Sequence, residues 1–103
     1  MKKALINIDY TNDFVATEGA LTCGKPAQEI ELGIAKLTKQ FIDNGDLVVF
    51  AIDLHKEHDP YHPETKLFPP HNLEGTEGRE LYGTLRIIYE ANKNNPNVIW
   101  MDK

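Results

Sequence analysis

The sequence predicts an α/β fold, a parallel sheet with helices joining its strands. Three observations carry that expectation. Short apolar runs rich in Val and Ile occur three times, at ALINI (4–8), LVVFAI (47–52) and VIWM (98–101). Helical periodicity fills the stretches between them. The resulting order of strand, helix, strand, long loop, helix, strand is that of βαβ units with right-handed crossovers. At 103 residues the chain is expected to form one domain, 1–103, with a modest core.

Each element has its own local grounds. The three apolar runs suit strands buried on both faces, as in a parallel sheet. Between the first two, PAQEIELGIAKLTKQFIDNG spaces Ile30, Ile34, Leu37 and Phe41 at helical intervals. Pro26 suits a first helical turn and Asn44-Gly45 a stop. Glu29 and Glu31 stand early and Lys36 and Lys39 late, which complements the helix dipole. A second helix is expected to start near Thr76, to carry Leu81, Leu85 and Ile88 on one face, and to fray into NKNNPN.

Composition narrows the function classes. The formal net charge is −5, and no basic patch appears, which argues against nucleic acid and against an anionic membrane surface. No run approaches the roughly 20 apolar residues of a membrane helix. The run after Lys2 and Lys3 is too short for a signal peptide and ends at Asp9. Cys23 is the single cysteine, so no internal disulfide forms, and a reducing, cytoplasmic setting is expected.

In an open parallel sheet, ligands bind beyond the carboxyl ends of the strands. Those ends carry Asp9, Asp53 with His55, and Asp102 with Lys103. All four histidines lie between residues 55 and 71, at His55, His58, His62 and His71. In Asp53-Leu54-His55 the two-residue period of extended backbone puts both polar side chains on one side. His62, Glu64 and His71 follow in a loop stiffened by Pro63, Pro69 and Pro70. Such donors suit a divalent ion, whether zinc, manganese or iron, in no zinc-finger pattern. A solvated polar loop fits the same spacing. Asp9 occupies a common position for a catalytic acid or base, or it bonds only to loop amides. Asp13 reads as a turn or cap residue. Phe14 and Phe68 read as core or as pocket walls. The glycine-bearing pieces ATEGA and EGTEG match no phosphate-binding fingerprint.

Taken together, IDYTNDF after the first strand, DLH after the second, FPPH followed by EGTEGREL, and WMDK at the third resemble the nicotinamidase branch of the isochorismatase-like cysteine hydrolases. The resemblance runs in order over nearly the whole chain. It implies a three-layer, Rossmann-like α/β domain, of which residues 1–103 would be the N-terminal portion. It implies hydrolysis of nicotinamide to nicotinate and ammonia, with pyrazinamide accepted by many members. By motif position Asp9 and Lys103 correspond to two members of an Asp–Lys–Cys triad. Asp53, His55 and His71 correspond to ligands of one divalent metal, zinc first, with Glu64 ahead of His62 for the remaining place. Phe14 and Phe68 correspond to aromatic residues flanking the pyridine ring. The family's cysteine lies beyond the lysine, and Cys23 does not match its position, so the 103-residue chain is expected to be inactive alone. A hydrolase using a metal-bound water, or a non-catalytic metal-binding or interaction module, are the rival readings. The expected partners are a small amide substrate and further copies of the chain.

Overall fold

The computed structural model describes residues 2–56 and 68–103. β1 (Ala4–Ile8), β2 (Leu47–Ile52) and β3 (Val98–Asp102) form one parallel sheet in the order β1-β2-β3. The register aligns Ile6, Val49 and Ile99 in one row and Ile8, Ala51 and Met101 in another. α3 (Glu31–Asp43) connects β1 to β2, and α4 (Gly83–Asn92) connects β2 to β3. Two single-turn helices, α1 (Asn12–Val15) and α2 (Lys25–Gln28), precede α3, and a 3₁₀ turn (Glu77–Arg79) precedes α4.

The core lies between the sheet and the two long helices. Val48, Phe50 and Ile52 of β2 and Val98 of β3 meet Ile42 of α3 and Leu85 of α4, with Leu5, Ile34, Phe41, Ile88 and Tyr89 around them. The expectation of strands buried on both faces holds for most of β2 only. Ile6, Ile8, Ile99 and Met101 are exposed on the opposite face. The cause is topological. Strands added in one direction by right-handed crossovers place both connecting helices on the same side.

The long helical segment is divided. Gly24, at φ 71°, opens α2 with Pro26 in its first turn, and a break at Ile30 separates α2 from α3. The stop at Asn44-Gly45 is as expected, with Gly45 at φ 76°. The buried line of α3 is Ala35, Thr38 and Ile42, and Ile30 and Leu37 of the expected stripe are exposed. The shift has a polar cause. Asn7 of β1 donates its amide to Thr38 Oγ1 across 2.9 Å, and both residues are buried. A reading of bulky apolar residues passes over such a pair.

The second helix starts later than expected, at Gly83 rather than Thr76. Leu81 is buried, yet it sits in extended backbone bridged to Thr11. Asn12 N donates to Glu80 O and Tyr82 N to Tyr10 O, so this segment is tied to the loop after β1 before the helix begins. At the α4 N-terminus Glu31 Oε2 accepts from Thr84 N and Thr84 Oγ1, each at 2.8 Å. Glu31 thus serves the positive end of the neighbouring helix. Gly83 has φ 57°, and a side chain there would meet the Glu31 carboxylate.

Candidate active site at the strand ends

Asp9 leaves β1 in the left-handed region, at φ 56°. Its amide stays on the sheet, donating to Ala51 O at 3.0 Å. The turn aims the carboxylate across the end of β2, where Oδ1 accepts from Asp53 N at 2.8 Å. Non-glycine residues at such φ are uncommon, and Asp is among the tolerated ones.

Lys103 arrives from β3. Its amide donates to Ile52 O at 3.0 Å and its carbonyl accepts from Leu54 N at 3.1 Å, so pairing with β2 continues past the strand. Its ammonium lies 2.5 Å from Asp53 Oδ1 and 3.0 Å from Asp9 Oδ2. The hydrogen bond to Asp53 raises the lysine pKa most, the Asp9 bond adds to it, and partial desolvation opposes both. The group is therefore an ammonium at neutral pH. Two carboxylates from two strands share this one cation.

Asp53 also belongs to a second cluster. Asp53, His55 and His71 offer ligand atoms that all lie within 4.8 Å of one another. Both imidazoles are buried, and their ring centres are 4.6 Å apart. His55 Nδ1–H donates to His71 O at 3.0 Å, and His71 Nδ1–H donates to Pro69 O at 2.7 Å. A carbonyl only accepts, so these bonds place a proton on Nδ1 and leave Nε2 of each ring as the nitrogen able to hold an ion. One carboxylate with two so oriented imidazoles is a fitting donor set for a divalent ion. Glu64, His62 and His58 lie outside the described residues.

The loop carrying His71 is fastened from below. Asn72 adopts φ 46°, donates its amide to Asp13 Oδ2 at 2.8 Å, and accepts from Thr11 Oγ1 at 2.8 Å. Its carbonyl accepts from His55 N at 3.2 Å. Asp13, expected to be a local turn or cap residue, therefore joins the β1 loop to the histidine loop. Its Oδ1 also accepts from Ala20 N at 3.2 Å. Asn72 Nδ2 is buried with no hydrogen-bond partner among the described residues. Neither Asn72 nor Thr11 was singled out in sequence, because nothing in their spacing marks a contact across about sixty residues.

Phe14 and Phe68 both stand against His71, with ring centres 5.3 and 6.3 Å away in edge-on geometry. Phe14 also packs on the core, while Phe68 is 46% exposed and keeps a face open. Cys23 is exposed in the segment before α2, and its amide donates to Phe14 O at 2.8 Å.

The isochorismatase domain matches residues 3–99 of this chain. The chain belongs to the isochorismatase family. Over all 103 residues it is 62% identical to an uncharacterized isochorismatase family protein, PncA, of Bacillus subtilis strain 168, and covers 56% of that protein. The crystal structure of the nicotinamidase/pyrazinamidase PncA from Bacillus subtilis superposes with a TM-score of 0.98 at 63% identity, over all of this chain and 56% of that one. The pyrazinamidase/nicotinamidase of Streptococcus mutans UA159 gives 0.96 at 59% identity, over 99% of this chain and 56% of that one. The parallel sheet and its helices are thus those of the isochorismatase-like α/β fold. The chain spans about half the length of the relatives it matches.

Proposed function

We propose that this chain carries part of a nicotinamidase-type site, which hydrolyses nicotinamide to nicotinate and ammonia through a cysteine thioester. The observation that carries the reading is one shared residue. Asp53 pairs with Lys103, which also holds Asp9, and it groups with His55 and His71 beside Phe14 and Phe68. The likeness to two structures named as nicotinamidases supports the same chemistry. Residues 1–103 are read as the N-terminal portion of a single domain.

In this scheme a thiolate attacks the carboxamide carbon, the C–N bond breaks, and a thioester forms as ammonia leaves. Asp9 accepts the thiol proton and returns it to the leaving nitrogen. The Lys103 ammonium, paired with Asp9 and Asp53, favours the thiolate. Water then cleaves the thioester to release nicotinate. Phe14 and Phe68 hold the flat ring. Asp53, His55 and His71 would hold a divalent ion, with Glu64 ahead of His62 proposed for the remaining place, and the ion would supply Lewis-acid chemistry towards the substrate. Zinc suits these donors first, and manganese or iron accept them as well. A thiol mechanism accords with a reducing, cytoplasmic setting.

Cys23 is the one cysteine of the 103 residues, and it stands in the segment before α2 rather than in the cluster. The purified 103-residue chain is therefore expected to release no ammonia from nicotinamide above background. Turnover near the 1–10³ s⁻¹ of ordinary enzymes would overturn that expectation. A second reading, hydrolysis by a metal-bound water, is favoured by the carboxylate and two imidazoles standing together. Alkylation of Cys23 separates the two if turnover is found. Activity that survives alkylation supports the metal-water reading, and activity lost in a still-folded protein counts against it.

A further inference from the structure

We infer that Arg79 is a positioning residue, which fixes the ends of β2 and β3 so that Asp53 and Lys103 both reach Asp9. The inference rests on the reading that those three groups form the working cluster. Arg79 comes from the 3₁₀ turn, and its side chain is only 14% exposed. Its Nε donates to Asp53 O at 2.8 Å and its Nη2 to Ile52 O at 3.4 Å. Nη2 also bonds the Asp102 carboxylate, which accepts from Trp100 Nε1 at 2.9 Å. The guanidinium carbon lies 5.6 Å from the centre of the Trp100 ring.

One planar fork therefore holds the last carbonyl of β2, the Asp53 carbonyl that follows it, and a carboxylate of β3. The Ile52 carbonyl belongs to the peptide whose amide donates to Asp9 Oδ1, and the Asp53 carbonyl is the next along the chain. The bonded carboxylate immediately precedes Lys103. Strand ends ordinarily fray, and here both catalytic candidates sit on them. A guanidinium meets this acceptor set because its donors diverge within one plane. An ammonium at the end of a flexible stem presents no such fixed fork.

Hydrogen exchange on the 103-residue chain tests the inference. In Arg79→Met the amides of Asp53, Leu54 and Lys103 are expected to exchange about tenfold faster or more, while Val49 and Phe50 at the strand centre keep their protection. Arg79→Lys retains a cation without the fork, and it is expected to resemble Arg79→Met at those amides. Arg86→Met removes a guanidinium paired to Glu77 on the surface, and it is expected to leave them unchanged. Wild-type protection at Asp53 and Lys103 in Arg79→Met overturns the inference. So does full rescue by Arg79→Lys, or equal loss in Arg86→Met.

Zinc titration provides the second arm. Arg79→Met is expected to weaken zinc binding by about 10–100-fold, the usual effect of losing an outer-shell partner. A wild-type chain that binds no zinc defeats the metal reading, and the exchange data then judge Arg79 by themselves. Zinc affinity unchanged in a variant whose strand ends have loosened overturns the claim that Arg79 sets Asp53.

Discussion

Asp53 holds two positions at once, ion partner to Lys103 and member of the group with His55 and His71. Asp53→Asn keeps the shape but removes the charge that both roles need. Zinc affinity of the chain is expected to fall on the order of 100-fold or more, measured by calorimetric titration, since Asp53 is the one anionic donor of the group. Tyr10 gives a separate expectation at high pH. Burial, then the nearby Glu31 and Tyr82, pushes its phenol up to about 12 from 10.0. The unfolded chain ionises at the lower value, so it binds fewer protons between the two. Stability from this residue is intact below pH 10 and drains away as the pH rises towards 12, with a slope of up to about 1.4 kcal/mol per pH unit. Urea unfolding from pH 9 to 12 reads the slope, and Tyr10→Phe, which also loses the bond to Ala27 O, should flatten it. The positions of Asp9, Asp53 and His55 at strand ends, and of Phe14 and Phe68 in compact motifs, can be read from sequence. The roles of Arg79, Asn72 and Thr11 cannot, because they consist of contacts between distant segments.

At the scale of elements, the strands read well and the helices less so. Continuous apolar runs fix where β1 and β2 begin and end, whereas helix boundaries depend on what the flanking backbone bonds to. A helix is expected from Thr76, yet Glu77–Arg79 form only a 3₁₀ turn, and the Glu80 carbonyl and Tyr82 amide pair with Asn12 and Tyr10. The α3 face is likewise set by the buried Asn7–Thr38 pair. Thr38→Val leaves the Asn7 amide without its acceptor and is expected to cost about 1–3 kcal/mol. Asn7→Leu combined with Thr38→Val should cost less than the two single changes added together. A double-mutant cycle from urea unfolding checks this, and strict additivity would mean that the pair has no joint role.

Across the whole molecule, the dominant feature is a sheet with helices over one face. Ile6, Ile8, Ile99 and Met101 form an exposed apolar row on the other, and β1 and β3 both present free edges among the described residues. Apolar surface of this kind promotes association. The 103-residue chain is expected to self-associate at micromolar concentration, and the double change Ile8→Lys with Met101→Lys is expected to shift it towards monomer. Sedimentation velocity decides the matter, and a wild-type chain that stays monomeric throughout the range removes the expectation. Among the described residues no helix is long and apolar enough to cross a membrane.

The parallel α/β class, the three strands and the motif residues that carry the family likeness are readable along the chain. Those properties are local, since a short stretch holds both the pattern and its physical cause. Packing in three dimensions is what sets Lys103 between Asp9 and Asp53, groups the two imidazoles with one carboxylate, and leaves one sheet face open. The first and last depend on register between strands and on the hand of a crossover, which bring together residues forty or more positions apart, while the imidazole pair depends on a loop that returns His71 to His55, 16 positions away. No periodicity along the chain encodes such a meeting, because it is set by how the elements pack.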